Sequence, residues 1–192
     1  ATMGERAATK IEADALLVRV GAYYHDIGKL TQPHMYIENQ SEGVNPHEDL
    51  DPKTSAALIQ EHVIQGVELA RHHRLPPQVR EFIPEHHVTR LATYFFRKAS
   101  RSNPDLEPGP FTYAGPRPQS RETAIIMMAD SCEAVVRSSN RRDVETIDRL
   151  VDAVINERLS EHQFDDCDLT LRQLHTIGDS FKVTLQGVYH PR

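Results

Sequence analysis

Apolar residues that recur at three- and four-residue intervals constrain this chain more than any other feature. Ile11, Ala15, Val18 and Ala22 fall on one stripe, and Leu16, Leu17 and Val20 widen it. That spacing predicts a helix lying against a core. The polar residues ahead of Ile11 extend the same helix back to Ala1. Ala1 carries no capping signal and no initiator methionine, so the chain is expected to be a fragment of a longer protein.

Further helices follow by the same logic. Asp51-Pro52 supplies an N-cap and a first-turn proline for a helix over 52 to about 73. Leu58, Ile59, His62, Val63, Gly66, Leu69 and Ala70 form its inner face. Pro76-Pro77 opens a short helix that Pro84 is expected to kink or restart just before His86-His87. Helices over 91–99, 120–139, 143–160 and 168–189 complete the set, with Asp143 and Asp168 as N-caps. Residues 31–50 form a polar loop. Five prolines between 104 and 118 rule out a helix over 100–119, which is expected to be a long and partly mobile excursion. No segment alternates well enough for a strand. The expected fold is an all-α helical bundle, one domain over 1–192 with a long Pro-rich loop.

With 192 residues the chain can bury one sizeable core, and no run approaches the ~18 consecutive apolar residues of a membrane span. A net charge of -6 argues against a DNA or RNA polymer as partner. A phosphate substrate stays open if metals or a local cation reverse the field. Two distant cysteines, Cys132 and Cys167, fit a reducing compartment. The anomaly is eleven histidines. His34, His47, His162, His175 and His190 are expected at the surface.

His25, Asp26, His62, His86, His87 and Asp130 are harder to place. Taken singly, each has an ordinary explanation, such as a helix end or a core histidine bonded to a carbonyl. Asp130 sits in an apolar run where an unpaired carboxylate is penalised, so it needs either Arg137 or a metal. One metal site accounts for all six. Mixed imidazole and carboxylate ligands without thiolate suit manganese, iron or zinc. Six ligands exceed one metal's usual share, and two metals bridged by Asp26 fit the number better. Lys29 is then either a point charge on a phosphate oxygen or a favourable helix-end cation. Gly28 is expected to keep the turn open.

Residues 25–29 with His62, His86-His87 and Asp130 resemble the metal motifs of the HD-domain phosphohydrolases. Residues 21–29, 37–40, 45–47, 66–70, 115–119, 129–138 and 167–172 are similar to the cytosolic HD domain of seven-transmembrane HD receptors, the PgpH-type enzymes. The resemblance implies an all-helical domain with two iron or manganese ions, held by the six residues above. It implies hydrolysis of cyclic di-AMP to pApA by a metal-bound hydroxide, with Asp26 and Lys29 as catalytic residues and Lys29 contacting substrate. It also implies a place on the cytoplasmic side of a membrane, attached through regions preceding this chain. One further histidine ligand of the family falls upstream of Ala1. Domains acting on cyclic di-GMP carry Gly-Tyr-Pro after their His-His pair, whereas Val88-Thr89-Arg90 follows here. The alternatives are another HD phosphohydrolase acting on nucleotides and a regulatory module that binds nucleotide without turnover.

Overall fold

The computed structural model describes residues 1–40 and 45–189. Among these residues eight α-helices run in chain order as α1 (Thr2–Lys10), α2 (Ala15–Tyr24), α3 (Pro52–His72), α4 (Pro77–Glu85), α5 (Thr93–Ser100), α6 (Arg121–Ser138), α7 (Val144–Ser160) and α8 (Leu171–Tyr189). Among the described residues there is no strand, only an isolated bridge between Leu91 and Thr112. Among the described residues no helix is long and apolar enough to cross a membrane.

The first helix departs from expectation. The stripe through Ile11 does not continue a single helix, because the chain breaks between α1 and α2. Glu12 takes a positive φ of 58°, and Asp14 accepts a hydrogen bond from the Leu17 amide, capping α2. A carboxylate three residues before an exposed amide competes with helix continuation. At the other end of the chain the cap expected at Asp168 belongs to Thr170, which exchanges backbone–side-chain hydrogen bonds with Gln173. Asp51 and Asp143 cap α3 and α7 as expected. Pro84 lies in the last turn of α4, which stops one residue later.

Helix α6 is the axis of the core. Residues 123–129 are buried without interruption, so this helix is covered on all sides. Ala7 and Ala8 of α1, Val18 of α2, Phe82 of α4, Ile147 and Val151 of α7, and Leu174, Ile177 and Phe181 of α8 pack in the same cluster. A smaller cluster joins α3 and α5 to the Pro-rich segment through Ala56, Ala92, Phe95 and Phe111. That segment has no helix beyond a 3-10 turn at Gly109–Phe111. It is tied down rather than loose: the Ala92 amide donates to the Phe111 carbonyl (2.7 Å), the Tyr113 amide to Arg90 (2.8 Å) and the Gln119 amide to Glu85 Oε2 (2.9 Å).

Gly28 fixes how closely the turn after α2 approaches α3. Its backbone is not left-handed, so it does not serve to open the turn. A Cβ there would instead overlap the carbonyl oxygen of His62 and stand 2.6 Å from the Gly66 amide nitrogen. The neighbour is helix backbone, which cannot give way as a side-chain tip can. Gly28→Ala should therefore destabilise the fold by ~3 kcal/mol or more, above the usual overpacking range. Urea unfolding that shows a loss below about 1 kcal/mol would contradict this close approach.

Candidate metal centre and adjoining cavity

The end of α2 places His25 as its C-cap, and Asp26 follows at the start of a 3-10 turn, Ile27–Thr31. Helix α3 brings His62 against that turn, and the end of α4 brings His86 and His87. Beyond His87 the chain turns through buried Val88 at φ 50°, a costly conformation for a β-branched residue. Asp130 projects from α6.

These six side chains converge in two sets. Ligand atoms of Asp26, His62, His86 and His87 lie within 4.8 Å of one another, as do those of His25, Asp26 and Asp130. Asp26 belongs to both. Its Oδ1 is 3.4 Å from His62 Nε2 and 3.5 Å from His86 Nε2, while its Oδ2 is 3.3 Å from His25 Nε2. His25 Nε2 stands 4.0 Å from Asp130 Oδ1. The two carboxylate oxygens therefore face different imidazole groups.

Backbone carbonyls orient three of the rings. The Nδ1 atom of His25 donates to Ala22 (2.9 Å), that of His86 to Ile83 (2.7 Å), and that of His62 to Ile59. A carbonyl only accepts, so Nδ1 carries the proton, and in its neutral form each ring would turn an Nε2 lone pair toward Asp26. Among the described residues, buried His25 Nε2 and Asp26 Oδ1 have no hydrogen-bond partner. Oriented lone pairs, a shared carboxylate and orphaned acceptors fit a metal ion, and the side chains present could hold one in each set.

Charge in the site follows the same geometry. Burial pushes the His62 imidazole down to about 4, aided by charge on His86. Burial, with His86 and His62, also holds His87 well below its ordinary value. Neutral imidazole is the ligating form. Burial opposes ionisation of Asp26, but the proximity and charge of His25 and His86 outweigh it and hold the carboxyl well below the usual range. For His25, burial lowers the pKa while Asp26 and Asp130 more than reverse it.

Asp130 is half-buried rather than fully enclosed. Arg137, one candidate for its counter-charge, instead pairs with Glu133 at 3.5 Å. Lys29 spans two carboxylates, with Nζ 2.8 Å from Asp26 Oδ2 and 2.6 Å from Glu38 Oε1, over the face of Tyr36 at 5.3 Å. Its ammonium thus meets carboxylates rather than helix carbonyls. Burial lowers the Lys29 pKa, yet Asp26 and Glu38 raise it more, so the group stays charged.

A cavity of about 400 Å³ adjoins the four-ligand set. Lys29, His62 and His87 form one part of its wall, and Tyr36, Tyr94, Phe95, Tyr113, Glu38, Asn45 and His47 contribute to the remainder. Tyr113 stacks on His87 with ring centroids 4.2 Å apart. Of these, Tyr36, Phe95 and Tyr113 were not singled out from the sequence. The available signal was large aromatic residues inside otherwise polar or Pro-rich segments, at Tyr36 and Tyr113. Of the five histidines assigned to the surface, His34, His162 and His175 are exposed and His190 lies outside the described residues. His47 is a correction. It is only 6 % exposed, with its ring against Phe95 and Nε2 2.8 Å from the Met35 carbonyl.

The model of the HD domain family matches residues 1–135. The chain belongs to the HD-domain family. Over its full length this HD domain is 41 % identical to "Cyclic-di-AMP phosphodiesterase PgpH" of Listeria monocytogenes serotype 1/2a (strain 10403S), and 41 % identical to the protein of that name in Bacillus subtilis (strain 168). It spans 27 % of the length of each. Among solved structures it is similar to the L. monocytogenes PgpH HD domain in complex with cyclic-di-AMP. There the TM-score is 0.95 at 40 % identity, covering 100 % of this chain and 88 % of the other. A second structure of the L. monocytogenes PgpH HD domain gives a TM-score of 0.93 at 39 % identity, covering 98 % of this chain and 89 % of the other. The helical HD fold is therefore shared along the whole chain.

Proposed function

We propose that residues 1–192 form one phosphohydrolase domain that hydrolyses cyclic di-AMP to pApA at a two-metal centre. The observation that carries this reading is the pair of ligand sets sharing Asp26 beside a cavity with a fixed cation. The names of the full-length relatives and the cyclic-di-AMP complex of a similar domain support the choice of substrate.

His62, His86 and His87 would hold one ion, His25 and Asp130 the other, with Asp26 between them. Iron and manganese both suit this donor set. A further imidazole upstream of Ala1, as the family resemblance implies, would bring the smaller set to four. When bound, such ions supply Lewis acidity toward phosphate and a nucleophile from water at neutral pH.

The chain's own groups do the rest. Lys29 faces the cavity with a permanent charge and would neutralise a non-bridging phosphate oxygen as negative charge develops on it. Tyr36, Tyr94 and Tyr113 offer faces on which bases can stack. Enclosure by their rings limits water around the scissile phosphate and strengthens each charge interaction. Membrane attachment, through regions outside this chain, is part of the same proposal.

The test is chromatography of products after manganese- or iron-loaded protein meets cyclic di-AMP, cyclic di-GMP and deoxynucleoside triphosphates separately. Formation of pApA from cyclic di-AMP, with the others little changed, is the expected result. Turnover of triphosphates alone would replace this reading with the broader HD phosphohydrolase one. Tight binding of cyclic di-AMP without product would make the domain a regulatory module.

A further inference from the structure

His47 has an acceptor atom that nothing among the described residues satisfies. The residue follows Asn45-Pro46, and its own amide donates to Asn45 Oδ1 at 3.1 Å, which fixes the local turn. Its ring is buried against Phe95 and borders the aromatic cavity. Nε2 lies 2.8 Å from the carbonyl of Met35 and must donate to it, because a carbonyl cannot. In the neutral ring Nδ1 is then an acceptor, and this atom is buried with no hydrogen-bond partner among the described residues. An unsatisfied buried acceptor is costly, and it calls for a donor beyond the described side chains.

We propose that His47 is a base-reading residue, whose Nδ1 accepts from the 6-amino group of an adenine seated in the cavity. The inference rests on the cyclic di-AMP reading and adds the group that selects the base. Adenine presents an N–H donor at position 6. Guanine and hypoxanthine present an oxygen there, so acceptor would face acceptor. The Met35 carbonyl enforces this by fixing the tautomer: were the proton on Nδ1, the preference would invert. A buried polar group left unpaired by the wrong ligand is a strong basis for rejection.

The experiment compares cyclic di-AMP with its inosine analogue, which replaces the 6-amino group with oxygen and leaves both phosphates intact. Calorimetric dissociation constants on metal-free protein need no turnover, and hydrolysis rates on manganese-loaded protein run in parallel. Wild type should bind cyclic di-AMP at least ~10-fold more tightly, which corresponds to about 1.4 kcal/mol. In His47→Phe, which keeps a ring without an acceptor, the ratio should fall to within about threefold through weaker adenine binding. His47→Asn, whose Oδ1 stands near the Nδ1 position, should restore part of the ratio. Equal affinity of wild type for both ligands would overturn the proposal even if every variant failed to fold. So would a His47→Phe protein that loses both ligands equally, because His47 would then serve only to hold the loop. Discrimination without hydrolysis would sink the phosphodiesterase reading and leave His47 in place, whereas hydrolysis without discrimination would do the reverse.

Discussion

Asp26→Ala should empty both halves of the candidate centre at once and abolish turnover. The carboxylate belongs to both ligand sets, with Oδ1 toward His62 and His86 and Oδ2 toward His25. Losing a directly bound oxygen should weaken metal binding by at least ~100-fold, the upper end of what losing an outer-shell partner costs. Asp130→Ala is the matched control, because Asp130 belongs to the smaller set alone. It should leave close to one ion per chain, where Asp26→Ala leaves almost none. The fold should survive both changes. Neither residue belongs to the apolar core cluster, and Lys29 keeps Glu38 as a partner at 2.6 Å when Asp26 is gone. Elemental analysis after loading with manganese, alongside circular dichroism, separates the outcomes. If Asp26→Ala retains as much metal as Asp130→Ala, Asp26 does not bridge.

What could be read from the sequence was what depends on near neighbours. Helices α3 and α7 were legible because their apolar spacing and their Asp caps agree. The break between α1 and α2 was missed because two local signals conflict there. An unbroken apolar stripe runs through Ile11 and Ala15, while Asp14 stands ready to cap the amide of Leu17. The stripe holds in either arrangement, so only packing decides.

The six candidate ligands were legible as chemistry, since imidazoles and carboxylates on apolar helices are costly without a cation. Their division into two sets was not, because it depends on how α2, α3, α4 and α6 converge. Gly28 shows the same limit. Its role comes from the backbone of His62, far along the chain, and glycine in sequence signals only a special position. His47 failed for the opposite reason. A histidine in a polar loop is usually exposed, and its burial depends on Met35 and on Phe95 of another helix.

Lys29→Ala separates a charge that acts on the reaction from one that supports the centre. The ammonium touches Asp26 Oδ2 at 2.8 Å and Glu38 at 2.6 Å while also lining the cavity. If it neutralises charge that develops on a phosphate oxygen, its loss should cost about 2.7–4 kcal/mol of transition-state stabilisation, or roughly a hundred- to thousandfold in kcat. Metal content should stay level or rise, because removing a neighbouring cation leaves Asp26 more attractive to an ion. A purely supporting role gives the opposite pattern: less metal, lower stability and an unchanged rate per loaded molecule. Lys29→Arg refines the test. A guanidinium keeps the charge but is planar and longer, so it cannot hold the same point between Asp26 and Glu38. It should recover only part of the rate. Full recovery would mean that charge anywhere in the cavity suffices and that the position set by the two carboxylates is immaterial. An unchanged kcat in Lys29→Ala at full metal occupancy would remove Lys29 from the reaction altogether.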